Sequence, residues 1–263
     1  MIMEIKLWEK DIPYYNADAD LPNVMRCFFL DSAEPLPCVV VLPGGGYSGR
    51  ARHEADPIAE FFNSQGLHAV VVEYRVAPNR FPAALCDAQR AMRIVRANAE
   101  KWGIDPDRIV TCGFSAGGHL AASTILYGDV YSGEIEAEEV DSFSHLPNGA
   151  ILCYPVISVG GEYGNIHTGK NLLGEKYDSD KEKFFLAQYV TDKTPPVFMW
   201  HTSDDEGVNV KNSLVLGEAL RDHGIKFEMH IFPHGPHGIG LADSYPDSKQ
   251  WKSLAADWIR RNI

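Results

Sequence analysis

The stretch VTCGFSAGGHLAAS, Val110 to Ser123, decides how the rest of the chain is read. An apolar run stops at Gly113, a lone serine stands among small residues, and an alanine-rich segment follows. Gly113 and Gly117 frame Ser115 as G-x-S-x-G, between the strand-like RIVTC and the helix-like AGGHLAASTILYG. In that setting the motif reads as a nucleophile elbow, a sharp strand-to-helix turn that lifts a serine hydroxyl clear of a sheet. The turn forces the serine backbone into a strained region, and only very small residues two before and two after it avoid a clash. Gly118 lets the helix pack close. The start of that helix also turns free N–H groups, and the positive end of its dipole, toward the place where an oxyanion would form. A surface loop would account for the glycines and the serine, but not for a strand and a helix on either side.

An elbow of this kind needs strands alternating with helices. Short apolar runs suited to buried strands recur at VMRCFFL (24–30), CVVVLP (38–43), HAVVVEY (68–74), RIVTCG (108–113), GAILCYP (149–155), PVFMWHT (196–202) and KFEMHIF (226–232). Helical spacing fills the gaps. EADPIAEFFNSQG closes on Gly66, PAALCDAQRAMRIVRANAEKWG opens at Pro82 and closes at Gly103, and NVKNSLVLGEALRDHG closes at Gly224. A last helix, DSKQWKSLAADWIRRN, finishes the chain. Continuous apolar strands alternating with capped helices indicate the α/β class, a mostly parallel central sheet with helices on both faces. MEIKLW and VMRCFFL lack an intervening helix and are expected as antiparallel edge strands. One domain is expected over 1–263, with insertions over the strand ends at 127–148 and 158–195, the latter suited to a small lid. The acidic run Glu134, Glu136, Glu138, Glu139 and Asp141 reads as a solvated face.

A serine hydroxyl is a weak nucleophile at neutral pH. It needs a base, and the base needs an acid to hold its tautomer, following the serine in the order acid, then histidine. Both are present at strand ends. PPVFMWHTSDDEGV runs a strand into Asp204 and Asp205, and FEMHIFPHGPHGIG runs another into His234 and His237. Oxyanion donors are expected from CVVVLPGGGYSG, where Gly44, Gly45 and Gly46 leave backbone N–H groups uncovered. That loop carries neither the G-K-[ST] of a phosphate loop nor the G-x-G-x-x-G of a dinucleotide fold.

PGGGY, YRVAP, DAQRAMRIVRANAEKWGIDPDRI, GFSAGGHLA, HTSDDEGV and HGPHGIGLA together resemble the α/β-hydrolase esterases of the acetyl esterase and acetylxylan esterase type, related to the hormone-sensitive-lipase group. The likeness runs from about Val39 to the C-terminus. It implies Ser115 as nucleophile, Asp205 as acid, His237 as base, and the N–H groups of Gly45, Gly46 and Ala116 as the oxyanion hole. Asp205 is preferred to Asp204 because it stands three residues before Val208, the D-x-x-V spacing of similar hydrolases. One departure concerns the oxyanion loop. The lipase-like relatives have histidine before the three glycines, whereas this chain has Pro43, so proline rigidity is expected to hold the loop. The implied activity is hydrolysis of short-chain esters, acetyl foremost, on sugars or xylo-oligosaccharides, without a cofactor.

Other polar residues near the motifs divide between chemistry and packing. His119, one turn after Ser115, is expected beneath the elbow, and Asp87 as a buried structural acid. Tyr47, His53 and Glu54 are candidates for lining the substrate mouth, although acids at a helix start would also explain Glu54. His230, His234 and the two aspartates suggest a metal site less well than the elbow explains His237, so no metal is expected. Two rival functions remain. One is a small peptidase of the prolyl-oligopeptidase type, and the other is a hydrolase-fold ligand receptor without turnover.

Composition narrows the partners. The 263 residues are 45% hydrophobic and 23% charged, enough for a substantial core, and the formal net charge of −12 without a Lys/Arg block argues against nucleic acid. Five widely spaced cysteines (Cys27, Cys38, Cys86, Cys112, Cys153) read as reduced core residues. MIMEIKLWEKDIPYY lacks a basic region followed by an apolar run, and no window approaches a membrane span, so a cytoplasmic location without membrane contact is expected. Homo-oligomerisation is left open.

Overall fold

The computed structural model describes residues 2–19 and 21–263. Among the described residues eight strands form one sheet: β1 (Met3–Lys6), β2 (Val24–Phe28), β3 (Leu36–Leu42), β4 (His68–Val72), β5 (Ile104–Phe114), β6 (Gly149–Cys153), β7 (Val197–Thr202) and β8 (Phe227–Phe232). Their order is β1-β2-β4-β3-β5-β6-β7-β8. β1 and β2 run antiparallel, β2 pairs antiparallel with β4, and every later pairing is parallel, so the two helix-free strands occupy the expected edge.

Helices α1 (Asp56–Ser64), α2 (Ala83–Ala97), α3 (Ala99–Trp102), α4 (Ala116–Leu126), α5 (Ile166–Leu173), α6 (Tyr177–Asp180), α7 (Lys211–Asp222) and α8 (Trp251–Asn262) lie between and after the strands. Successive strand residues point to opposite faces, which divides the core in two. Val39, Val41, Val71, Ile151 and Trp200 pack with Ile58 and Phe62 of α1 and with Trp251 and Trp258 of α8. Val40, Leu42, Val70, Leu152 and Met199 pack on the other face with Met92 of α2, Leu120 of α4 and Leu216 of α7. All five cysteines are free and buried, and burial pushes the Cys27 thiol up to about 12. Among the described residues no helix is long and apolar enough to cross a membrane.

Two segments differ from their expected form. The helix over 82–103 breaks at Asn98, whose side-chain amide donates to the Ile94 carbonyl at 2.9 Å and ends α2 one residue before α3 begins. The acidic run is not wholly solvated. Glu138 and Asp141 bind the Arg90 guanidinium at 2.7 and 2.8 Å, and Arg90 is only 2% exposed, so these two acids tie the 127–148 segment to α2. Glu134, Glu136 and Glu139 do face solvent.

Asp87 of α2 is buried. It accepts from Arg75 Nε and Nη2 at 2.9 Å each, from the Arg75 backbone N–H, and from Trp8 Nε1 at 2.8 Å. Arg75 and Asp87 are each 2% exposed, so removing the acid strands a buried guanidinium. Asp87→Ala is expected to cost about 3–5 kcal/mol of stability, read from the urea midpoint at pH 7, and a loss below about 1 kcal/mol would mean the cation is solvated otherwise.

Candidate active site

Loops at the carboxyl ends of neighbouring strands build the site, which is why residues distant in sequence converge. β3 leads into Pro43–Gly46, β5 into Ser115, β7 into Asp204 and Asp205, and β8 into His234 and His237. Ser115 has φ 54° and ψ −116°, the strained conformation of an elbow. The neighbouring glycines are sterically obligatory. A Cβ at Gly113 would lie 2.1 Å from the Gly117 oxygen, and one at Gly117 would lie 2.0 Å from the Leu42 oxygen.

Ser115 Oγ lies 2.7 Å from His237 Nε2, and His237 Nδ1 lies 2.7 Å from Asp205 Oδ2. Serine and acid are buried, while the imidazole is 24% exposed and borders the cleft. Asp205 Oδ1 accepts the backbone N–H groups of Gly207 and Val208, both at 2.8 Å. Burial alone would raise the Asp205 pKa. Hydrogen bonds from His201 and His237, the His237 charge and the Val208 N–H overcome it and hold the carboxyl well below the usual range. Its contribution to stability is therefore complete above the unfolded carboxylate pKa of about 4, and is lost only as pH falls toward the lowered value.

Asp204 faces elsewhere. It is half exposed, accepts the Gly235 N–H at 2.9 Å and sits 3.0 Å from His234 Nδ1, so this second acid–histidine pair braces the loop that carries His237. His230 pairs instead with Glu228 at 2.9 Å. Among the described residues no group of three or more His, Cys, Asp or Glu is arranged to hold a metal ion.

The glycine loop has one donor committed and two free. Gly44 N–H donates to Glu54 Oε2 at 2.8 Å. Among the described residues the N–H groups of Gly45, Gly46 and Ala116 meet no protein acceptor, and they flank Ser115. The Pro43 carbonyl accepts from the Tyr74 hydroxyl, so a tyrosine as well as the proline ring fixes the entry to the loop. A cleft of about 260 Å3 opens here, lined by Gly45, Gly46, His53, Ser115, His167 and His237 among others. A larger hollow of about 560 Å3 lies among Arg26, Arg50, Arg52, Asp56 and Glu73, but ion pairs line it and it holds no nucleophile.

One mouth candidate, Tyr47, sits differently from the sequence expectation, whereas Glu54 and His53 both line the cleft. Tyr47 is 2% exposed, with its hydroxyl 3.0 Å from His119 Nδ1 and its ring edge-on to Tyr74 and His119, so packing encloses the face a sugar would need. Glu54, also 2% exposed, turns its carboxylate inward to Gly44 and Tyr154. His53 lies 2.8 Å from the Gly238 carbonyl. His119 packs beneath the elbow, where burial drives its pKa down to about 3 and keeps it neutral.

Sequence reasoning missed His201 and α5. His201 is fully buried, with Nδ1 2.8 Å from Ser213 Oγ and Nε2 2.9 Å from the Val208 carbonyl and 3.3 Å from Asp205 Oδ2, so it backs the acid. Its position inside an apolar strand hid it. From the 158–195 segment, Asn165, His167 and Thr168 line the cleft, and Asn171 donates to the Gly46 carbonyl at 2.9 Å.

The sequence profile of the family described as BD-FAE matches residues 30–220. The chain belongs to the BD-FAE family. This BD-FAE chain superposes with a TM-score of 0.91 on an acetyl ester-xyloside bifunctional hydrolase from Caldicellulosiruptor lactoaceticus, at 44% identity over 98% of this chain and 95% of that one. It thus has the α/β-hydrolase fold. It is 35% identical over 246 residues to an endo-1,4-beta-xylanase B of Butyrivibrio fibrisolvens, covering 90% of this chain and 38% of that protein. It is 30% identical over 253 residues to an acetylxylan esterase of Xylanibacter ruminicola, covering 93% and 49%. The chain spans less than half the length of these two curated relatives.

Proposed function

We propose that this BD-FAE chain is a serine esterase that removes short acyl groups, acetyl above all, from sugars or xylo-oligosaccharides. The observation that carries the reading is the hydrogen-bonded series Ser115, His237, Asp205, with 2.7 Å at each step, beside three N–H groups that meet no acceptor among the described residues. In the proposed reaction His237 Nε2 takes the Ser115 proton as Oγ attacks the ester carbonyl. The N–H groups of Gly45, Gly46 and Ala116 receive the oxyanion. Collapse expels the alcohol, which leaves with the proton held by His237. Water then attacks the acyl-serine while His237 takes its proton, and the carboxylic acid departs as Ser115 is restored. Asp205 holds the Nδ1–H tautomer and stabilises the imidazolium throughout.

The substrate class draws on two relatives, whose names specify acetylxylan and an acetyl ester-xyloside. The small acyl group is supported by the cleft itself. Its volume of about 260 Å3, with the start of α5 as one wall, falls below the roughly 300–1,000 Å3 of most small-molecule sites. Acetyl and propionyl p-nitrophenyl esters are therefore expected to exceed the octanoyl ester in kcat/KM by at least about tenfold. A preference for octanoate would overturn the short-acyl reading. Acetate release from acetylated xylo-oligosaccharides tests the alcohol, and its absence alongside p-nitrophenyl acetate hydrolysis would withdraw the sugar.

A further inference from the structure

The Glu54 carboxylate touches both loops that must be fixed for the proposed chemistry. Oε2 accepts the Gly44 N–H at 2.8 Å and Oε1 accepts the Tyr154 hydroxyl at 2.6 Å. The Tyr154 oxygen in turn accepts the Gly240 N–H at 2.9 Å, three residues beyond His237. The Tyr154 ring stands edge-on to the His237 imidazole, with centroids 5.1 Å apart. We propose that Glu54 is a positioning residue, a buried carboxylate that pins the oxyanion loop through Gly44 and the histidine loop through Tyr154 and Gly240.

Physical need supports the assignment. Oxyanion donors act only if they are aimed before charge develops, and a run of three glycines has no side chains to aim it. Direct packing leaves no slack at its first member, since a Cβ on Gly44 would lie 2.5 Å from Glu54 Oε2. Pro43 supplies no N–H and no imidazole, so the anchor comes from Glu54, ten residues beyond Gly44. Carboxylate chemistry is specific here. Both partners donate, and a group with two acceptor oxygens satisfies both while leaving the Tyr154 oxygen to Gly240. Burial raises the Glu54 pKa, and the bonds from Tyr154 and Gly44 and the nearby His53 and His237 oppose that rise.

Glutamine has the same shape with one acceptor fewer. In Glu54→Gln the amide either faces the Tyr154 hydroxyl with an NH2, so that the hydroxyl must accept there in competition with the Gly240 N–H, or sets that NH2 against the Gly44 N–H, and the hold on one loop is weakened in either case. The inference rests on the esterase reading, so wild type and variants are compared with p-nitrophenyl acetate and with phenylboronic acid, whose adduct with a serine oxygen mimics the tetrahedral intermediate. For Glu54→Gln, kcat is expected to fall about tenfold to hundredfold with KM within threefold, and phenylboronic acid affinity to fall in parallel. Tyr154→Phe is expected to fall less, and the double variant to lose less than the product of the two single losses. Circular dichroism melts establish folding, and if Glu54→Gln does not fold, Tyr154→Phe alone decides. No turnover and no boronate binding by wild type would sink the esterase reading. An active wild type with kcat and boronate affinity unchanged in the folded variants, or losses that simply multiply, would sink the positioning role alone.

Discussion

Replacing Ser115 with alanine is expected to lower kcat for p-nitrophenyl acetate by about 10³ to 10⁶ while leaving the fold and KM nearly unchanged. The change deletes a single oxygen. Alanine inherits the same φ of 54°, so the strain of the elbow is neither relieved nor increased, and the Ser115 backbone N–H keeps its bond to the Cys153 carbonyl at 3.0 Å. What disappears is the atom 2.7 Å from His237 Nε2. The remaining rate would come from the N–H groups of Gly45, Gly46 and Ala116, which polarise a bound ester toward water without a nucleophile. Labelling by a fluorophosphonate should vanish together with turnover. Activity within tenfold of wild type, in protein free of contaminating esterase, would overturn the nucleophile assignment.

What the sequence reveals and what it conceals have separate physical causes. Strand and helix alternation is written in short-range periodicity, because each parallel strand must be apolar throughout and each crossover helix on one face. The elbow is legible because its glycines are demanded by clashes near 2 Å that no other residue avoids. Strand ends single out the pairs Asp204/Asp205 and His234/His237, since these loops leave the carboxyl ends of neighbouring strands, and the choice of Asp205 and His237 within the pairs comes from the resemblance to similar hydrolases. The order of the strands is less visible. Nothing local in HAVVVEY indicates that β4 lies between β2 and β3. The inward turn of Glu54 was hidden for a similar reason. An acid just before a helix beginning at Asp56 looks like a favourable dipole contact, and its true partners, Gly44 and Tyr154, are 10 and 100 residues away. His201 resembled a core residue because it is one, its effect on Asp205 arising from a turn that brings residue 205 back to the end of its strand.

Asparagine at position 205 is expected to reduce kcat by about 10⁴, whereas asparagine at position 204 should cost less than about tenfold. Geometry dictates which way each amide turns. Asp205 Oδ1 receives two backbone N–H groups, so an asparagine there must keep its single carbonyl oxygen toward Gly207 and Val208. Its NH2 then faces His237 Nδ1 and the nearby His201 Nε2. Facing a donor, His237 must present a bare Nδ1 and move its proton to Nε2, where it points at Ser115 Oγ and cannot remove a proton from it. Position 204 imposes no such constraint. An asparagine oxygen still accepts the Gly235 N–H, and the NH2 can meet His234, whose exposed ring is free to change tautomer or turn. Both variants should be compared at matched folding by circular dichroism, over a pH range that exposes any shift in the base limb of kcat/KM. A crippled Asp204→Asn beside a near-normal Asp205→Asn would move the acid by one residue and leave the serine and histidine roles standing. Equal losses would instead mean that loop bracing through Gly235 matters as much to the reaction as the tautomer of His237.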